Sequence, residues 1–151
     1  MTALARLTEL GLVLPAVVPP VAAYVPAVRT GNLVYTSGQL PMVAGAMALT
    51  GKVGVQVTAE QAKDLARVCA LNALAPIDAL VGLDNVVRIV KVVGFVASAP
   101  EFTGQPGVVN GASELLGEVF GEAGRHARSA VGVASLPLDA PVEVELIVEV
   151  G

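Results

Sequence analysis

The chain is poor in the residues that usually announce a metal, a disulfide or a nucleic-acid surface. Its 151 residues include one cysteine, one histidine and no tryptophan. A single cysteine excludes an internal disulfide, and Cys69 with His126 supply too few ligands for a Cys/His metal site. Charge is scarce as well, with 9 Lys and Arg against 13 Asp and Glu, a net charge of −4. No basic patch is visible, which argues against a nucleic-acid partner, whose phosphates require one. Aromatics make up only 3% of a chain that is 54% hydrophobic, so Val, Ala and Leu must carry the packing. A lone domain of this size has difficulty hiding that much apolar surface, and association with further subunits is expected. The length suits one domain whose core needs neither disulfide nor metal.

Residues Leu10 to Val28 contain no charged side chain and are long enough to cross a bilayer. Pro15, Pro19, Pro20 and Pro26 argue against it, because each interior proline removes a helix hydrogen bond at a cost of roughly 3 kcal/mol. Arg6 ahead of the apolar run and the small-residue Val21-Ala22-Ala23 end also suit a signal peptide. Glu9 against the run, the interrupting prolines and the lone cysteine favour a cytoplasmic protein with no membrane partner instead.

Residues 1–20 read as a short polar start and an extended, irregular, proline-rich lead-in to a domain over 21–151. Val21–Val28 and Leu33–Ser37 are β-favouring runs around Arg29-Thr30-Gly31-Asn32, which has the chemistry of a hairpin turn, and Pro26 places the first at an edge. Pro41 to Gly54 reads as a loop with room for a second short hairpin. Thr58 and Gln61 form a capping box that starts a helix. Its apolar stripe is Ala62, Leu65, Ala66, Cys69 and Ala73, with Lys63 and Arg67 mostly off it, so Cys69 is expected in the core. Pro76 should kink or end this helix before Leu80. Val86–Val96 is a strand expected to be central and covered on both sides. A second helix is expected over Val108–Ala123 with Gly124 as its stop, then strands over Ala130–Ser135 and Val142–Val150. In the last strand, Val142, Val144, Leu146, Val148 and Val150 alternate with Glu143, Glu145, Ile147 and Glu149, an apolar face against a largely acidic one. The order is β-β-α-β-α-β-β, an α+β domain with two helices on one sheet.

Tyr24, the stretch Gly31 to Gln39 (GNLVYTSGQ) and the stretch Arg128 to Pro137 (RSAVGVASLP) together resemble the signature of the Rid (YjgF-like) family. Asn110 and Glu143 fall at matching places, and the resemblance covers Val21 to the end. It implies a chorismate-mutase-like fold assembled as a homotrimer with clefts between subunits. The implied activity is hydrolysis of 2-aminoacrylate and related 2-imino acids to 2-keto acids and ammonia, with neither metal nor organic cofactor. By this resemblance Arg128 holds the substrate carboxylate, which a guanidinium fork suits by bidentate, charge-assisted bonds. Glu143 positions and polarises the attacking water. Ser37, Gly38 and Ala130 line the cleft, and Tyr24 and Asn110 help close it. Ala130 stands where better-known members often have cysteine, and Gly132 where a larger residue is common. The long lead-in and the 41–54 loop are expected to reshape the cleft mouth.

Each residue also has a plainer reading. An arginine at a strand start is ordinarily a solvated surface residue, Glu143 shares its face with Glu145 and Glu149, and Tyr24 suits interface packing. Asn110 suits a helix surface, and His126 suits a loop with no special function. At the level of the whole protein, the alternative is a trimer that binds small carboxylates and regulates a partner without turnover, with a vestigial-cleft scaffold as a third possibility.

Overall fold

A computed structural model of the chain describes residues 1–20 and 22–151. Strands β1 (Ala27–Thr30) and β2 (Leu33–Thr36) pair as an antiparallel hairpin. Thr30 faces Leu33, so Gly31 and Asn32 alone form the turn, with Gly31 at φ 57, a conformation glycine adopts without steric cost. The first strand starts later than its β-favouring run, because Pro26 has no N–H for the ladder; its carbonyl instead accepts from the Ser37 amide at 2.8 Å. Val21, where that run begins, lies outside the described residues. The expected second hairpin is present as β3 (Met42–Val43) and β4 (Ala46–Met47).

The amino terminus departs from the irregular reading. Residues Ala3–Glu9 form helix α1, whose N-cap Thr2 accepts from the Ala5 amide. Ala3 and Leu7, four apart and so on one face, bury against the core. The rest of the lead-in, 12–20, has no regular structure.

Helix α2 (Ala59–Val81) starts with both capping-box bonds, Gln61 N to Thr58 Oγ1 at 3.1 Å and Thr58 N to Gln61 Oε1 at 2.9 Å. Pro76, expected to kink or end this helix before Leu80, does not end it. The helix continues to Val81 with Leu74, Ala75, Pro76 and Ile77 all buried. Burying Leu74 and Ile77 gains roughly 1.5–3 kcal/mol each, which offsets the roughly 3 kcal/mol cost of the proline. Helix α3 (Gln105–Phe120) starts three residues earlier than expected, with Pro106 in its first turn where a missing N–H costs nothing. It stops at Gly121, which takes φ 60, rather than at Gly124.

Strands β5 (Val86–Ala97), β6 (Ala127–Val133) and β7 (Val142–Val150) complete a five-stranded sheet of order β1-β2-β7-β5-β6. All pairs are antiparallel except β5 with β6, which α3 connects as a crossover. Both long helices pack on one face of the sheet. They meet closely at Gly111, where an added Cβ would stand 1.9 Å from the Lys63 carbonyl oxygen. Lys63–Glu114 at 3.1 Å and Arg67–Glu118 at 2.8 Å flank that approach. Cys69 is fully buried, its thiol pushed well above the ordinary range chiefly by burial.

The alternation in β7 is as the pattern predicts, with Val142, Val144, Leu146, Val148 and Val150 buried and the three glutamates and Ile147 only partly so. The expectation that β5 is covered on both sides is not met within one chain. Ile89, Val92 and Val96 are buried under the helices, whereas Val90, Lys91, Val93 and Phe95 are only partly covered. Tyr35 and Val131, on the same uncovered side, are 43% exposed each. The apolar excess of the composition therefore has a location, the face of the sheet away from the helices.

Candidate functional site

Arg128 lies on edge strand β6, opposite Val92 of β5, and shares that residue's side of the sheet. Its guanidinium therefore meets α3. One nitrogen donates to Asn110 Oδ1 at 2.7 Å and to Ser113 Oγ at 3.2 Å, and the other to the Pro106 carbonyl at 3.3 Å. Ser113 Oγ lies 2.9 Å from His126 Nε2, and His126 Nδ1 lies 2.6 Å from the Gly124 carbonyl. A carbonyl only accepts, so Nδ1 carries the proton, and Nε2 then accepts from the Ser113 hydroxyl. That leaves the Ser113 oxygen to accept from Arg128, and the chain of donors runs in one direction.

Arg128 makes no ion pair among the described residues, in contrast to Arg6, Lys52, Lys63, Arg67 and Arg125. A half-buried cation held only by neutral acceptors retains its attraction for an external carboxylate. Ala130 follows two residues along the same side of β6. Beyond it is Gly132, where an added Cβ would stand 2.7 Å from Gln105 Nε2 and 3.0 Å from Ser98 Oγ. Gln105 fills the space a larger side chain would take, which accounts for that departure from the family pattern. Gln105, Ser98, Phe102 and Gly132 line a cleft beside this edge.

The second group gathers where β2 runs on into β7. Gln39 and Val144 exchange both backbone bonds, at 2.8 and 3.1 Å, which puts Leu40 opposite Glu143, and the Glu143 side chain reaches along the sheet to Gly38. An added Cβ on Gly38 would stand 2.0 Å from Glu143 Oε2, so the carboxylate lies directly over the glycine. Burial raises the Glu143 carboxyl above its ordinary value, and the neighbouring Glu145 adds to the effect. Ser37 is committed to the framework, its hydroxyl donating to the Val25 carbonyl at 2.6 Å. It thereby fixes the segment carrying Tyr24, which is 45% exposed and borders a small cleft with Gly38.

The fold thus brings Arg128, Asn110 and Ala130 together, and Tyr24, Ser37, Gly38 and Glu143 together, but it does not join the two groups within one chain. Arg128 is on the helix side of the sheet and Glu143 on the open side. They are two strands and three residues apart, roughly 10 Å in each direction at ordinary strand spacings. Sequence reasoning missed Ser113 as a partner of Arg128 and His126 as the partner of Ser113. Two spacings carried the signal: Ser113 lies three residues after Asn110 on one helix face, and His126 lies two before Arg128 on one side of an extended segment.

The chain is similar to known proteins over nearly its whole length. A family model described as Endoribonuclease L-PSP matches residues 16–150. Protein TCP17 of Trypanosoma cruzi is 47% identical over 147 residues, 96% of this chain and 92% of that protein. The crystal structure of the Agrobacterium tumefaciens protein Atu1372, of unknown function, superposes with a TM-score of 0.92 at 50% identity, covering 99% of this chain and 92% of that one. That of Escherichia coli TdcF with bound serine does so with a TM-score of 0.66 at 26% identity, covering 89% and 94%.

Proposed function

The chain belongs to the endoribonuclease L-PSP family, the YjgF-like family that its signature stretches resemble, and from that premise we propose that it hydrolyses reactive 2-imino acids to 2-keto acids and ammonia. The observation that carries this reading is the guanidinium of Arg128, oriented by Asn110, Ser113 and the Pro106 carbonyl and without an acidic partner among the described residues. Such a group suits the carboxylate of an amino-acid-like substrate. The serine bound in the TdcF structure has that chemistry.

The substrate carboxylate docks on Arg128, with the β6 backbone around Ala130 beside it. An enamine such as 2-aminoacrylate first takes a proton from solvent on carbon to become the iminium form of the imine. Water held by Glu143 adds to the iminium carbon while the carboxylate accepts one of its protons, giving a neutral carbinolamine. The carbinolamine collapses as that proton passes from Glu143 to nitrogen and ammonia leaves, and the hydroxyl proton returns through the Glu143 carboxylate to solvent as the carbonyl forms. A carboxyl raised by burial is better matched to proton transfers near neutral pH than an ordinary one. Because Arg128 and Glu143 lie on opposite sides of one sheet, the site combines Arg128 of one copy with Glu143 of another. We assign the open face as the contact between copies, three of them in a homotrimer. The description of the family as an endoribonuclease finds little support in this chain, whose open face carries Glu143, Glu145 and Glu149 and whose one histidine is engaged with Ser113 and Gly124.

The test is the decay of 2-iminopropanoate generated from serine by a dehydratase. Wild type should accelerate it, Arg128→Ala should lose at least about 100-fold, on the scale of a misplaced substrate, and Glu143→Gln should lose turnover while still binding a 2-keto acid. Light scattering should give about three times the 15.2 kDa chain mass. A wild type no faster than buffer sinks the deaminase assignment, and a monomeric mass sinks the shared site.

A further inference from the structure

The connection from β6 to β7 contains two consecutive non-glycine residues in the left-handed region, Leu138 at φ 58 and Asp139 at φ 57. Side chains other than glycine adopt this region at a steric cost, because Cβ crowds the following carbonyl. The segment is held there by several bonds. Asp139 Oδ1 pairs with Lys52 Nζ at 2.7 Å, the Gly51 amide donates to the Asp139 carbonyl at 2.9 Å, and the Ala140 amide donates to the Pro137 carbonyl at 3.1 Å. The side chain that this strained backbone presents gains little from folding, since Leu138 is 56% exposed. Asparagine or glycine would sit in the same turn with less strain, so the leucine answers to a demand outside the packing of the chain.

Leu138 and Gly38 border one cleft, and the Glu143 carboxylate lies over Gly38. Pro19 and Pro20 of the lead-in, Tyr24 and Leu40 line the same cleft. The walls are mainly apolar, and the cleft holds about 40 Å³, room for roughly three or four water-sized groups at ~10–15 Å³ each, the scale of a small aliphatic side chain. We propose that this cleft receives the substrate's side chain and that Leu138 is a specificity-determining residue selecting 2-imino acids with a branched aliphatic side chain of about three or four carbons over those with a methyl or an aromatic ring. The assignment rests on the deaminase reading above. It gives the lead-in a task as well, since Pro19 and Pro20 close a wall that the sheet and helices leave open.

The test uses imines made in situ from alanine, valine, leucine and phenylalanine by an amino-acid oxidase, with kcat/KM for each. Wild type should prefer the leucine- and valine-derived imines over the alanine-derived one by at least about tenfold, the lower end of what an apolar pocket gives for each added carbon, since these side chains add two or three. Leu138→Gly suits the left-handed backbone and therefore folds, and it should bring that ratio near one. Leu138→Phe should fill the cleft and invert the ratio. A wild type without preference, or a preference that both variants keep, overturns the subsite while leaving the deaminase reading intact. If wild type hydrolyses none of the imines, the deaminase reading fails by itself. The subsite is then judged by calorimetric binding of 4-methyl-2-oxopentanoate against pyruvate. A preference for the former that Leu138→Gly removes upholds it, and equal affinities overturn it.

Discussion

The two faces of the sheet differ in how far one chain completes them. Under α2 and α3, the buried valines and leucines of β5 and β7 meet Leu74, Ile77, Leu115 and Leu116, ion pairs bridge the helices, and a backbone carbonyl approaches Gly111. On the other face, Tyr35, Val93, Phe95 and Val131 stand partly uncovered among Glu143, Glu145 and Glu149. Close packing on one side fixes the sheet as a rigid platform. The other side keeps apolar surface and a carboxylate that one chain leaves partly uncovered. The two faces thus differ in how tightly they are packed, and single substitutions can test the difference.

Two glycines make the sharpest test. Adding a methyl at Gly111 drives it against the Lys63 carbonyl oxygen, part of a helix backbone that cannot yield locally. Gly111→Ala should cost at the upper end of the roughly 1–3 kcal/mol usual for overpacking, lowering Tm by about 5 °C or more. Adding one at Gly38 meets only the end of the flexible Glu143 side chain. Gly38→Ala should melt within about 2 °C of wild type yet lose about 100-fold in kcat, because the carboxylate is displaced by an ångström or more. Comparable melting losses in both variants would break the contrast between the faces.

Glu143 offers a gentler test on the same side. Its folded carboxyl is raised, so the folded state holds the proton more tightly than the unfolded chain. The associated stability is fully present below the unfolded value of about 4.3 and is lost as pH rises through the folded one. Glutamine keeps the neutral form at every pH. Glu143→Gln should therefore match wild type in Tm near pH 4 and exceed it by about 1–2 °C at pH 7, while turnover is gone. Equal melting at both pH values would show that the carboxylate bears no desolvation cost, and its assigned role as a proton acceptor would weaken with it.

Legibility followed the range of the forces involved. The Thr58/Gln61 box and the alternation in β7 are local, and both were readable residue by residue. Pro76 does not end its helix, because the burial of Leu74 and Ile77 outweighs a propensity penalty that the sequence states alone. Helix α1 was overlooked although Thr2 supplies its cap, since seven residues are too few for a periodic pattern. The side of the sheet to which Arg128 points depends on its parallel register with Val92, a pairing across 36 positions that no local pattern encodes. For the same reason the separation of Arg128 from Glu143 emerged only with the fold. Leu138 gave no signal at all, because leucine is an uncharacteristic choice for a left-handed turn.

The smallest expected effect concerns how Arg128 is held. The Ser113 hydroxyl passes the hydrogen-bond chain from the guanidinium to His126, while Asn110 and the Pro106 carbonyl hold the guanidinium independently. Ser113→Ala removes one of three supports and leaves the charge in place. Losing about 1 kcal/mol of orientation should raise KM about fivefold and change kcat much less, because the proposed site takes its water and Glu143 from the other copy. A purely structural role would lower Tm and leave the ratio of KM to kcat alone. The double variant separates the cases: with Arg128→Ala already present, Ser113→Ala should add nothing to the loss, since its effect reaches the substrate only through the guanidinium. A full additional fivefold loss in that background would mean that Ser113 meets the substrate directly, and that the helix-side half of the site is less complete in one chain than its hydrogen bonds imply.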